Sequence, residues 1–216
     1  MKKLAMFLGL AIAMTCGQAQ ADLVITGVYD GSLPGGNPKA IVLTATCDVA
    51  DLSTWGVGSA NNGGGSDGEE VTFSGSIAAG EQIVVTTADN TEFFTDWFEG
   101  LQVVTNGAAS INGDDAIELF NNGAVTDVFG DINVDGNGEP WEYLDSYAIR
   151  TDNTVDGAFV LDRYSFGGAN ALDGFNEQQN KDVFINTFGF TPSVVPEPGS
   201  FLVLTVLGLA ATRRRR

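Results

Sequence analysis

The chain of 216 residues carries 28 acidic and 10 basic side chains, a formal net charge of −18, and no histidine. Without histidine there is no imidazole general base, no serine or cysteine triad of the usual kind, and no ligand set for most zinc sites. Within residues 22–195 the imbalance steepens, because 27 acidic residues face only Lys39, Arg150, Arg163 and Lys181, a net charge near −23; such a field repels nucleic acid and anionic headgroups, so no nucleic-acid partner is expected.

At the N-terminus, Lys2 and Lys3 precede an apolar run from Leu4 to Met14, and Ala19-Gln20-Ala21 follows. A short basic region, a run of that length and a small-x-small triplet make residues 1–21 a signal peptide, cut by signal peptidase between Ala21 and Asp22. Cys16 is a rival processing point, but Ala13-Met14-Thr15 before it is a weak lipobox. The apolar run is also short for a retained membrane helix. After cleavage only Cys47 remains, so no internal disulfide forms; its strand-like surroundings suit a small core hydrophobe.

The next segment, residues 22–191, alternates short apolar runs with patches of Gly, Asn and Asp, the pattern of many short strands in a sandwich or barrel. Strands are expected at Leu23–Val28, Lys39–Thr46, Glu70–Phe73, Gln82–Thr87, Leu101–Thr105, Ala116–Phe120, Val125–Phe129, Tyr147–Arg150 and Phe159–Arg163, most of them rich in β-branched or aromatic residues. Gly56-Val57-Gly58 and Gly63-Gly64-Gly65 read as loop glycines. Asn122-Gly123 supplies the positive φ angles of a type I′ turn between the sixth and seventh of these strands. One short helix is expected from Thr91, capped by Asn90 or Thr91 and stopped by Gly100. Its Phe93, Phe94, Trp97 and Phe98 form one apolar face, read as a plug over an end of the sandwich.

Asp131, Asn133, Asp135, Gly136 and Glu142 have the spacing of a calcium loop, with alternating oxygen ligands, a turn glycine and a distal carboxylate. Such a loop normally lies between two helices, whereas a strand precedes this one and Pro140 lies within it; a plain acidic turn is the competing reading. Glu69 with Glu70 and Asp114 with Asp115 have the residue types of a glycosidase acid and base. Sequence neighbours on a strand point to opposite sides, however, and no nucleophile elbow, phosphate loop or His-Glu-x-x-His helix occurs. The chain therefore reads as a non-enzyme, with Ca²⁺ as the sole candidate cofactor.

Residues 192–216 contain Pro196-Glu197-Pro198, an uncharged stretch from Gly199 to Thr212, and Arg213 to Arg216. Fourteen helical residues reach about 21 Å against a hydrocarbon core of roughly 30 Å, a marginal span that snorkelling arginines extend. Basic residues at both ends of the chain place both ends on the cytoplasmic side during export. This tail resembles the PEP-CTERM sorting signal: the tripeptide, an apolar helix and a basic cluster, in that order. The resemblance implies a transient inner-membrane precursor, removal of the tail by an exosortase, and a product at the cell surface or in the extracellular matrix.

Through the run Leu23 to Gly31, the run Pro38 to Leu43 and the run Asn112 to Leu119, the central segment resembles the bacterial lamin-tail-like domain, an immunoglobulin-like β-sandwich. Leu23 to Gly31 with Pro38-Lys39-Ala40-Ile41-Val42-Leu43 matches its opening strands, and Asn112-Gly113-Asp114-Asp115-Ala116-Ile117-Glu118-Leu119 is the most specific match. Asp51-Leu52-Ser53, Trp55-Gly56, Asp127-Val128-Phe129-Gly130, Trp141-Glu142-Tyr143, Tyr147-Ala148-Ile149-Arg150 and Asn170-Ala171-Leu172-Asp173-Gly174 extend it. Val42 stands where the family usually has glutamate, a departure expected to affect a surface contact rather than the fold. The resemblance implies a structural or adhesive module touching exopolysaccharide or surface proteins. The alternative is an extracellular hydrolase of matrix polysaccharide that uses paired carboxylates.

Overall fold

The computed structural model describes residues 22–152 and 157–190. The signal peptide, Ala21, Pro196, Glu197 and Pro198, the apolar segment and the arginine cluster lie outside the described residues.

Ten strands form two sheets among the described residues. The strands are β1 (Leu23–Leu33), β2 (Asn37–Ala45), β3 (Trp55–Ala60), β4 (Val71–Thr72), β5 (Gln82–Thr86), β6 (Gln102–Thr105), β7 (Ala116–Asn121), β8 (Ala124–Phe129), β9 (Tyr147–Arg150) and β10 (Tyr164–Phe166). The six-stranded sheet runs β10-β9-β1-β2-β5-β6 and the four-stranded sheet β4-β3-β7-β8. All pairings are antiparallel except β5 with β6, which are parallel and joined through helix α1 (Thr91–Trp97). A second helix, α2 (Glu177–Phe188), closes the described chain.

The alternation of side chains along the strands divides the apolar residues into two cores. Ile25, Ile41, Leu43, Ile83 and Val85 pack with Trp55, Val57, Ile117, Leu119 and Phe129 between the sheets. On the other face of the six-stranded sheet, Tyr29, Ala40, Val42 and Val84 are covered by Phe94, Trp97 and Phe98 from the α1 segment and by Phe184 and Phe188 of α2. A strand buried on both faces reads as an unbroken apolar run, which explains Ala40-Ile41-Val42-Leu43. The result is a β-sandwich with a helical layer outside its larger sheet.

Most expected strands form near their expected bounds, and the β7–β8 hairpin turns through Asn122 (φ 51°) and Gly123 (φ 74°) as the sequence requires. Five expectations need correction. There are two α-helices rather than one among the described residues; α2 begins with six polar residues that weaken its apolar period, although Asn176 and Gln179 form a capping box. Helix α1 does not plug an end of the sandwich but lies on the outer face of the six-stranded sheet. Val42 is not at the surface: it is fully buried beneath that helical layer, where a glutamate would lose its hydration. Residues Leu161–Arg163 form a 3₁₀ turn, and the strand is Tyr164–Phe166. Gly56 and Gly58 belong to strand β3, where a Cβ would fall 2.2 Å from the Val71 carbonyl oxygen and 2.0 Å from that of Gly68. They are glycines because backbone crosses them closely.

Candidate functional site

Of the acidic residues singled out by sequence, Asp114, Asp115, Asp135 and Glu142 lie near one another, where the chain from 130 to 146 folds over the loop before β7. Trp141 is the anchor: it is buried with its ring edge-on to Phe129 (6.2 Å) and against Phe159 (6.3 Å). Tyr143 donates its hydroxyl to the Asp115 carbonyl (3.0 Å) and its N–H to the Gly113 carbonyl (2.7 Å). Gly136 N–H adds a third tie, to the Asp114 carbonyl at 3.1 Å.

Within this frame Asp114 and Asp115 have separate tasks. Asp115 is buried, and its carboxylate accepts the backbone N–H groups of Asn62 and Asn112, each at 3.0 Å, binding two loops together. Asp114 is half-buried, and its carboxyl is pushed up to about 6, first by burial and then by Asp115, Asp135 and Glu142. A folded-state value above the ordinary 3.8 means the folded protein holds this proton more tightly than the unfolded chain. The stabilisation is complete below about pH 4 and is lost as pH rises through about 6. After allowance for solvent screening of a partly exposed group, Asp114→Asn is expected to add about 1 kcal/mol at pH 7. It should also flatten the pH dependence between 4 and 7 in urea titrations; an unchanged slope would assign that dependence to other carboxyls.

Asp131, Asn133, Asp135 and Glu142 do not converge. The Asp131 carboxylate accepts Asn133 N–H (2.9 Å), that of Asp135 accepts Asn137 N–H (3.0 Å), and that of Glu142 accepts Gly138 N–H (3.1 Å). Each carboxylate thus caps its own turn. Among the described residues no three His, Cys, Asp or Glu side chains come together as a metal-binding group. At matched ionic strength Ca²⁺ and Mg²⁺ are therefore expected to raise the melting temperature equally, through screening alone. A larger rise with Ca²⁺ that vanishes in the double variant Asp131→Ala/Glu142→Ala would assign an ion to the loop.

The other carboxylate pair is also divided. Glu69 accepts the Thr72 hydroxyl (2.6 Å), whereas Glu70 accepts the N–H and hydroxyl of Ser59 (2.8 and 3.1 Å). A pair of carboxylates beside aromatic rings occurs elsewhere. An open cleft of about 430 Å³ beside the β5–β6 edge is lined by Glu81, Gln82, Phe98, Glu99, Gln102 and Phe190, among others. Both glutamates are exposed, and Glu81 accepts the Ala78 N–H at 2.9 Å. A glycosidic general acid needs the opposite, a desolvated carboxyl held neutral near pH 7.

Sequence reasoning missed a buried polar constellation joining the two sheets. Arg150 Nη2 contacts both oxygens of Asp127 at 2.7 and 2.6 Å, and the Arg150 guanidinium lies 4.9 Å from the centre of the Tyr164 ring. In a chain with so many acids, Asp127 gives no sign of differing from surface aspartates. Its apolar neighbours Val125, Val128 and Phe129 were the available hint. At the start of the fold, Asp22 accepts the Cys47 thiol at 2.9 Å, and its carbonyl accepts Thr46 N–H.

Comparison of the chain with protein-family models, with curated proteins and with solved structures finds no match.

Proposed function

We infer that this is an exported, non-enzymatic module, an immunoglobulin-like sandwich of the lamin-tail-like kind, sorted by an exosortase through Pro196-Glu197-Pro198. It acts at the cell surface or in the extracellular matrix as a structural or adhesive component. The observation that supports the reading is the fit of the folded body between the two sequence signals. Leu23 is fully buried and opens β1 two residues after Ala21, and α2 closes at Phe188, before Pro196. Disposal of positive charge agrees with it: Lys39 and Arg150 are spent on the buried partners Asp30 and Asp127, so they do not offset the acidic surface. Such a surface suits neutral or cationic matrix polymers and repels uronic-acid-rich ones.

Processing in the native host tests the reading. N-terminal sequencing of the exported form should begin at Asp22, and its mass should lack the arginine cluster. A lipid-modified Cys16 at the terminus, or a product that retains Arg216, would overturn the export or the sorting step. The hydrolase reading rests on the cleft that holds Glu81 and Glu99. It requires release of reducing ends from host matrix polysaccharide, and that release must disappear in Glu81→Gln and Glu99→Gln. The open, hydrated cleft leads us to expect none.

A further inference from the structure

Asp30 and Lys39 are directly opposed across β1 and β2, and Lys39 Nζ lies 2.6 Å from Asp30 Oδ1. The pair is withdrawn from water, with side-chain exposures of 2% for Asp30 and 14% for Lys39. Gly36 passes over it so closely that a Cβ there would fall 2.7 Å from Nζ and 3.2 Å from Oδ1. The lysine backbone is fixed on both sides: its N–H donates to Asn90 Oδ1 (3.3 Å) and its carbonyl accepts the Thr86 hydroxyl (2.6 Å).

A third residue completes the group. The second oxygen of Asp30, Oδ2, accepts the backbone N–H of Asp145 at 3.2 Å. Asp145 is held in the left-handed region (φ 42°), which a non-glycine residue adopts where its surroundings impose it. Those surroundings are the N–H groups of Asn170 and Leu172, bonded to the carbonyls of Leu144 (2.7 Å) and Asp145 (2.9 Å). Burial, and after it the facing Asp173 carboxyl, push the Asp145 carboxyl up from its ordinary value. Burial pushes the Asp30 carboxyl up from its ordinary value, against the pull of Lys39.

We propose that Lys39 and Asp30 condense in the folded protein to an intramolecular amide linking β1 to β2, with the Asp145 N–H holding the carboxyl oxygen that takes up charge. The ammonium passes one proton to Oδ1 across their 2.6 Å contact, the neutral amine attacks Cγ of the protonated carboxyl, and negative charge develops on Oδ2, where the Asp145 N–H donates to it. A second proton then moves from Nζ to the Oδ1 hydroxyl, which leaves as water. An ammonium and a carboxylate thereby become one amide and one water, with no oxidant or cofactor. Two properties of the fold drive the step. The strand pairing holds nucleophile and carbonyl in register, and the covered site favours a neutral amide over two buried charges. The link would give a sandwich with one cysteine the covalent closure that a disulfide cannot.

Chymotryptic mapping and intact mass of the purified full chain test the proposal. Asp30 and Lys39 share one chymotryptic segment, because Leu33 is followed by Pro34; that segment should be lighter by one water and give no fragment ions from breaks between the two residues, and the whole protein should be lighter by the same amount. Lys39→Arg keeps the charge and should show the full, unlinked mass. Asp30→Ala removes the carbonyl carbon that the amine attacks and should likewise show the full, unlinked mass. Wild-type protein whose segment keeps its full mass, or fragments normally between Asp30 and Lys39, after prolonged incubation in the folded state would reduce the group to an ion pair and overturn the proposal.

Discussion

Asp127→Ala is expected to destabilise the domain by about 3–5 kcal/mol, lowering its melting temperature by roughly 10 °C. The side chains of Arg150 and Asp127 are 2% and 1% exposed, so the substitution leaves a guanidinium buried without its counter-charge. The loss extends to the backbone. Ile25 lies beyond the last β1–β9 pair, Gly27 with Ile149, and next to a register shift in the β1–β2 ladder. On that side its N–H and C=O have no strand to meet. Asp127 Oδ2 accepts the first at 2.9 Å, and Arg150 Nε donates to the second at 2.8 Å. The ion pair therefore completes a β-ladder with side-chain atoms and, because β8 and β9 lie in different sheets, fastens the sandwich faces together. Arg150→Met with Asp127→Leu should recover much of the loss, since no charge is then left buried. Equilibrium urea unfolding of the three proteins checks the comparison; a loss below 1 kcal/mol for Asp127→Ala would show that water reaches the arginine.

Phe184→Ala should cost about 3–5 kcal/mol by the same measurement, because it empties the centre of the helical layer. The Phe184 ring contacts those of Tyr29 (5.3 Å), Phe94 (5.0 Å), Phe98 (5.9 Å), Phe188 (4.8 Å) and Phe190 (5.2 Å), so its removal takes partners from both helices and from β1. Helix α2 is also tied to the sheet through Tyr29, whose hydroxyl donates to the Asn180 carbonyl (3.1 Å) and Oδ1 (3.0 Å). Fluorescence of Trp97, which packs 6.2 Å from Phe184, should report loosening of this layer. Trp141, in the core between the sheets, serves as an internal reference. A cost near 1 kcal/mol would mean that the helical layer closes over the gap.

The hairpin at Asn122-Gly123, the apolar run of β2 and the position of α1 were legible because each depends on neighbours in the chain, although Asn90 makes no side-chain cap at that helix. Strand β3 was not, since Gly56 and Gly58 carry meaning only once the backbone at Val71 and Gly68 passes over them. The Asp131–Glu142 spacing shows the converse. Residues at suitable intervals still need a backbone that turns their side chains inward, and here each carboxylate bends back to an amide in its own turn.

The sequence by itself determined the β-rich character of the domain, most strand positions, the first helix and the excess of acidic charge, all set by local period, turn residues and composition. Only the tertiary structure decided which acids are buried, that Val42 lies beneath a helical layer, and that Asp30 and Asp127 take Lys39 and Arg150 as partners. Burial and ion pairing depend on residues brought together from distant positions, as Asp127 is with Ile25, and a linear pattern of 27 similar carboxylates holds no local signal of that distance.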